Sequence, residues 1–177
     1  MNNPATPRRP DEHGVPDPFP HMHPTLRANY GNWAWHDRPR PGVLHHVAKN
    51  GDEIWTVRAG TQRQMDVYTI RKLCDLADEF ADGHIRFTTR SNAEFMVTSA
   101  DKTGPLIARL NAAGFPVGGT GNSLSMISHT QGWLHCDIPG TDASGVVKSL
   151  MDELVHEFTH EEMPNRVRMT TSCCQIN

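Results

Sequence analysis

Long apolar runs are missing from this 177-residue chain. Nothing approaches the roughly 20 consecutive apolar residues that cross a bilayer, so a membrane-spanning helix is excluded. Cationic excess is missing too: Lys+Arg 17 against Asp+Glu 20 leaves a net charge of −3. The diffuse positive field of a nonspecific nucleic-acid binder is therefore absent, and no nucleic-acid partner is expected. The opening MNNPATPRRPDEHGVPDP holds two arginines but no apolar stretch, so no export signal is expected there. Cysteine is scarce, with four residues of which two are adjacent, a poor disulfide framework. In the reducing cytoplasm, where the chain is expected to reside, such cysteines more often serve metal binding or catalysis. Aromatics make up 7% and hydrophobic residues 37%, with a mean hydropathy of −0.55. That composition suits a modest core in one compact domain or two small ones.

Proline is unevenly spread. Nine of the 13 prolines fall in the first 42 residues, where each fixes φ and removes a donor. Residues 1–49 are therefore expected to form an extended arm, with Tyr30, Trp33 and Trp35 as anchors to the body or to a partner. From Asp52 the periodicity sharpens. EIWTVRA alternates as a strand, and residues 66–82 place Ile70, Leu73, Ala77 and Phe80 at helical spacing before Gly83. IRFTTR and AEFMV read as a hairpin, and a second helix covers about Lys102–Ala113. The order β-α-β-β-α over residues 50–116 is most of a ferredoxin-like split unit, an α+β fold. After the glycine-rich VGGTGNS, residues 117–177 hold a strand leading to Cys136 and an amphipathic helix striped by Val147, Leu150, Met151, Leu154 and Phe158. RVRMTT reads as a strand before SCCQIN.

His156-Glu157-Phe158-Thr159-His160 matches the H-E-x-x-H zinc-protease pattern. Helical phase argues against that chemistry, because both histidines fall opposite the apolar stripe, on the face expected to meet solvent. Cys74 sits on the helix beside Leu73 and Ala77 and reads as a small buried hydrophobe. Cys136, Cys173 and Cys174 differ: one closes a loop and two follow a strand directly. They suit either three thiolates of an iron–sulfur cubane or a chance pair in a reduced protein. In IRFTTR, alternation puts Arg86, Thr88 and Arg90 on one face, with Arg58 on the preceding strand and Arg63 in the loop after it. That face suits either a polyanionic ligand taking bidentate hydrogen bonds or ordinary salt bridges to Asp and Glu.

RAGTQRQMDVYTIRKLCDLADEFADGHIRFTTRSNAEFMV resembles the ferredoxin-like half-domain of the siroheme sulfite and nitrite reductases. GGTGNSLSMISHTQGWLHCDIPGTDASG and PNRVRMTTSCCQIN are similar to the dissimilatory sulfite reductase branch of that family. The resemblance runs from about Arg38 to the last residue. It implies an oxidoreductase subunit in an alpha2-beta2 complex with the alpha subunit of that enzyme, reducing sulfite toward sulfide by six electrons at a siroheme coupled to a [4Fe-4S] cluster. A small sulfur-carrier protein would be a further partner. It also implies that Cys136, Cys173 and Cys174 ligate the cluster, and that Arg58, Arg63, Arg86, Thr88, Arg90 and Thr130 contact a siroheme-type tetrapyrrole. The chain then looks like an N-terminal fragment, with the fourth cluster cysteine expected just after Asn177.

One departure from the pattern is informative. The segment after the glycine-rich turn carries a sulfite-binding arginine in the wider family, and GNSLSMI puts Ser125 there. The resemblance thus implies that this subunit lends its cluster to the active siroheme while its own basic face holds a second, structural tetrapyrrole. An assimilatory sulfite or nitrite reductase, or a cofactor-free ferredoxin-like binding module, is the alternative expectation.

Overall fold

A computed structural model describes residues 17–176. Five strands form one antiparallel sheet: β1 (Trp33–Arg40), β2 (Val43–Ala48), β3 (Glu53–Gly60), β4 (Ile85–Phe87) and β5 (Asn92–Val97). Their spatial order is β1-β2-β3-β5-β4. Helices α2 (Val67–Phe80) and α3 (Ala100–Ala112) cover one face, while the short α1 (Pro24–Ala28) precedes the sheet. The expected β-α-β-β-α unit is thus present, built from β3, α2, β4, β5 and α3. Alternation along β3 and β5 turns Val57, Ala59, Ala93, Phe95 and Val97 toward Leu73, Ala77, Leu106 and Leu110, which together make the main core. Helix α2 starts where the Asp66 carboxylate accepts from Thr69 N at 2.6 Å. It stops at Gly83, whose φ of +72° suits glycine and whose N–H returns to Ala77 O.

The proline-rich stretch departs from the expected arm. Residues 1–16 lie outside the described part, but residues 33–48 are a hairpin that extends the sheet. Pro39 is tolerated because β1 is the edge strand, where a missing N–H breaks no interior ladder. Strand β2 is interior and buries Val43 and Ala48. Cys74 also departs from expectation: it is exposed, because the buried arc of α2 is Leu73, Leu76, Ala77 and Phe80, and Cys74 lies just beyond it.

Beyond Val117 the chain builds a second, smaller layer. Strand β6 (Ser128–His129) pairs in parallel with β7 (Thr170–Thr171), and a parallel bridge joins Leu124 to Val167 further up. The amphipathic helix is broken into α4 (Ala143–Glu153) and α5 (Val155–Thr159) at Leu154, whose φ, ψ of −103°, 24° leave the helical range. Val147 packs with Leu124 and Ile127. Phe158, fully buried, instead faces the half-domain, reaching toward Gly60 and Gly119. Among the described residues no helix is long and apolar enough to cross a membrane.

Two expectations follow from these contacts. A methyl group on Gly118 would overlap the Phe158 carbonyl and lie 2.9 Å from Thr159 Cα, both backbone groups that yield little. Gly118→Ala should therefore cost about 1–3 kcal/mol and lower Tm by several degrees in a thermal melt. His23, buried at the N-cap of α1, accepts from Thr25 N at Nδ1 (3.2 Å) and lies 3.5 Å from Asp82 Oδ2 through Nε2. Burial pushes its pKa below the ordinary 6.5, although Asp82 opposes this. The folded state then binds fewer protons than the unfolded one just below pH 6.5, so this contribution is present above that pH and lost on acidification. Hydrogen-exchange protection factors of residues 24–28, corrected for the intrinsic pH dependence of exchange, should fall more between pH 7 and 5.5 in the wild type than in His23→Gln.

Candidate functional site

The sheet face away from α2 and α3 carries an unusual row. Cross-strand register sets Arg58 opposite Glu94 and Glu94 opposite Arg86, so three neighbouring strands present Arg, Glu and Arg side by side. Arg58 Nε donates to Glu94 Oε1 at 2.6 Å, and Arg86 Nε to Oε2 at 2.9 Å. Burial would raise the Glu94 pKa, but the two guanidiniums outweigh it and hold the carboxyl below its usual range. Of the two readings that the sequence left open for these arginines, the salt bridge is realised at Arg58 and Arg86.

It does not consume the positive charge. A cleft of about 440 Å3 opens beside Arg58, walled by Thr88, Arg90, Asn92, Gly119, Ser125, Arg166 and Arg168. A second, of about 560 Å3, shares Arg58 and Arg166 as its wall and adds Arg38. Arg90 reaches across from the turn after β4 to the carbonyls of Met126 (3.2 Å) and Met169 (3.0 Å). Arg166 donates to Ser125 Oγ and to Gly119 O, both at 3.0 Å. Burial first, and then the nearby guanidiniums of Arg168, Arg58, Arg90 and Arg38, lower the Arg166 pKa from its ordinary value. Five arginines thus surround two joined clefts, and their fixed partners are mainly neutral oxygens. Concavities of this size and polarity suit an elongated ligand with several carboxylates, each met by a guanidinium fork.

The other expected ligand residues scatter. Arg86 leaves the cleft for a groove lined by Tyr30, Trp33 and Met96. Arg63 donates to the His129 carbonyl on the far side of the second layer. The Thr130 hydroxyl is engaged at a cysteine: it donates to Cys173 Sγ at 3.0 Å and accepts from Cys173 N at 2.9 Å. Arg38, Arg166 and Arg168 escaped the sequence reading. The alternation that marked 86–90 runs equally through R-V-R at 166–168, whereas Arg38 was hidden in the proline-rich stretch.

The cysteines gather at the far end of the same layer. Cys173 is buried, Cys174 half-buried and Cys136 exposed. Gly132 lies between the two segments: a Cβ there would meet Cys173 Sγ at 2.6 Å and Cys136 Cβ at 3.4 Å. The Thr130 hydroxyl holds the Cys173 thiol below its ordinary pKa against the opposing effect of burial, and contacts from Gly132 N–H and Cys174 act in the same direction. Among the described residues no three His, Cys, Asp or Glu side chains converge on a single ion. A cubane binds its thiolates at separate irons, so its ligands need not meet at one point, and Cys136 and Cys173 on either side of Gly132, with Cys174 next in sequence, suit such a group. His156 and His160 are exposed, with rings stacked at 4.1 Å, on the face of α5 away from buried Phe158.

A ferredoxin-like half-domain with an arginine cleft and neighbouring cysteines defines a class. Residues 46–113 match the family described as the nitrite/sulfite reductase ferredoxin-like half domain. Within it, the chain is 51% identical over 158 residues to the dissimilatory-type sulfite reductase subunit beta of Megalodesulfovibrio gigas, covering 85% of this chain and 60% of that one. The corresponding subunit of Archaeoglobus fulgidus is 46% identical over 160 residues, covering 86% and 44% respectively. The chain is homologous to the beta subunits of dissimilatory sulfite reductases, and spans roughly two fifths to three fifths of their length. Among solved structures, dissimilatory sulfite reductase I superposes with a TM-score of 0.75 at 14% identity, over 84% of this chain and 39% of that one. The Mycobacterium tuberculosis NirA protein superposes with 0.59 at 13% identity, over 69% and 23%. Both share the fold.

Removing Arg58 tests the electrostatics directly. In Arg58→Ala the buried Glu94 keeps only the exposed Arg86, and stability at pH 7 should drop by about 3 kcal/mol. The native carboxyl titrates below its unfolded value, so its contribution is present above pH 4.5 and lost as pH falls through the folded pKa. In the variant, protonation relieves the unpaired charge, so the deficit should shrink between pH 7 and 4.5 in urea titrations. A deficit independent of pH contradicts this account.

Proposed function

We propose that this chain is a subunit of a dissimilatory sulfite reductase, acting with an alpha subunit in an alpha2-beta2 complex in the cytoplasm, with a small sulfur-carrier protein as a further partner. Residues 50–116 would be its ferredoxin-like half and residues 117–177 the beginning of its siroheme and iron–sulfur half. The observation that carries the reading is the parallel run of two segments. Ser125 N donates to Val167 O at 2.9 Å, and Ser128 and His129 pair with Thr170 and Thr171. One end of this pairing holds Ser125 and Arg166 at the anion cleft, and the other leads to Cys136, Cys173 and Cys174. Seven extended residues from Arg166 to Cys173 span at most about 23 Å, so an anionic ligand and a cluster can be neighbours.

When bound, siroheme and a [4Fe-4S] cluster supply the route for six electrons to sulfite, giving sulfide and water. The chain's own residues supply binding and orientation. Arg90, Arg166 and Arg168, with Thr88 at the rim, would meet ligand carboxylates in the cleft, while Arg58, its Nε edge taken by Glu94, forms the wall between the two clefts and Arg38 extends it. Arg86 meets the same row from outside the cleft. Cys136, Cys173 and Cys174 would hold the cluster, with the Thr130 hydroxyl donating to Cys173 Sγ and so favouring the thiolate, the form that binds iron. Ser125 presents no charge and instead fixes Arg166, in keeping with a subunit that lends its cluster to a substrate-binding siroheme and keeps a structural tetrapyrrole for itself.

The test is anaerobic co-expression of the complete complex. In that complex Cys173→Ser and Cys174→Ser should each abolish the cluster's EPR signal and sulfite reduction, whereas Cys74→Ser, on the exposed side of α2, should change neither. Full turnover and an intact signal in Cys173→Ser overturn the assignment.

A further inference from the structure

Glu94 is the one fully buried carboxylate among the described residues, and it stands where anions should be drawn in. A buried carboxylate costs several kcal/mol in desolvation unless its partners are well placed, and here they are. Both oxygens are taken by guanidiniums, Oε1 by Arg58 and Oε2 by Arg86. Arg58 is the central cation of the site, lining both clefts. Its Nε edge is the fork that a small oxyanion would seek, and that fork is occupied from within the protein. Its Nη1 is held by Gly119 O at 3.1 Å. The other cations are placed differently. Arg90 and Arg166 donate to neutral oxygens and keep their charge uncancelled. Glu94, beneath the cleft rather than on its wall, therefore neutralises the centre; Asp37 adds a carboxylate to the wall of the second cleft, and the first cleft stays positive around the centre.

We propose that Glu94 is a specificity-determining residue: a built-in anion that denies the Arg58 centre to small oxyanions and leaves the surrounding arginines for an extended polycarboxylate. The idea deepens the tetrapyrrole reading of the cleft and rests on it. A compact dianion such as sulfate or sulfite needs several donors at one point, and it finds Glu94 already there with a like charge. A ligand with carboxylates around its rim reaches Arg90, Arg166 and Arg168 separately and stays clear of that repulsion. Glutamine in place of Glu94 keeps a carbonyl oxygen for Arg58 and removes the charge, so the centre becomes a single-point anion site.

The experiment uses the 177-residue chain and two probes: sulfate against chloride at low millimolar concentration and matched ionic strength, where the general stabilisation by sulfate exclusion is negligible, read by thermal melting, and uroporphyrin, an octacarboxylate porphyrin, read by fluorescence quenching. In the wild type Tm should be the same in the two salts while uroporphyrin binds. In Glu94→Gln sulfate should raise Tm by several degrees over chloride, and the preference for uroporphyrin over sulfate should fall about tenfold. Glu94→Asp, which keeps the charge, should show no sulfate response. A wild type that responds to sulfate as Glu94→Gln does, or a folded Glu94→Gln with no response, overturns the proposal. Should Glu94→Gln fail to fold, Arg86→Gln, altered at an exposed side chain, leaves Glu94's whole charge on Arg58. It should stay silent to sulfate and bind uroporphyrin several-fold more weakly, and a sulfate response there overturns the proposal equally. Absence of uroporphyrin binding in the wild type would count against the tetrapyrrole reading, while the sulfate comparison still judges Glu94.

Discussion

The turn at Gly118–Gly119 is the constraint on which the remaining structure hangs. Gly118 N bonds to Arg58 O, and Gly119 N bonds to Phe158 O, so one dipeptide ties the end of the half-domain sheet to the end of α5. The approach is close enough that no Cβ fits at either position, and the φ of +70° at Gly119 independently favours glycine. The carbonyl exposed by this turn is no bystander. Gly119 O accepts from both Arg58 and Arg166, the two arginines shared by the joined clefts. Packing of the second layer and aiming of the anion site are therefore one event: lose the turn, and Phe158 loses its seat while two guanidiniums lose their anchor.

Charge is the second organising quantity, and its local and global values oppose each other. The chain carries a net charge of −3, yet five arginines converge on one face with a single buried carboxylate among them. Arg90 and Arg166 tolerate this because directed hydrogen bonds to carbonyls and a hydroxyl fix their orientation without cancelling charge, while Arg58 is offset by Glu94. The distribution implies association with a discrete polyanion rather than a diffuse one. It also explains why Glu94 stays ionised: removing its proton relieves the repulsion among the arginines around it.

Local pattern made much of the half-domain legible. Helix α2 could be read because the spacing of Ile70, Leu73, Ala77 and Phe80 agrees with the stop at Gly83, and β3 because EIWTVRA alternates. The hairpin of β1 and β2 was not legible, since proline density argues against strands unless the strand is an edge, and edge status is a tertiary fact. Cys74 shows the limit of helical phase, as one residue beyond Leu73 is enough to leave the core. The arginines divide in the same way. Arg58 and Arg90 could be placed by alternation, but their neighbours Arg166 and Arg168 lie far on in sequence and reach the cleft only through the parallel pairing of residues 124–129 with 167–171. Thr130, a ligand contact only by resemblance, stands with its hydroxyl against Cys173, a neighbour that local pattern does not specify for a loop residue.

That parallel pairing also bears on how the two ends of the site communicate. A parallel ladder fixes the registers of both segments together, so Ser125 and Arg166 at one end cannot slide without moving the approach to Cys136 and Cys173 at the other. The pairing is short, two residues in β6 and β7 plus the bridge at Leu124, and gains support from outside. Arg90 clasps Met126 O and Met169 O, one carbonyl from each segment, and Val147 closes the apolar side with Leu124 and Ile127. A cation of the half-domain thus staples together the two segments that lead to the thiols. The hydrogen bonds that shape the anion cleft are therefore among those that set its distance to the cysteines.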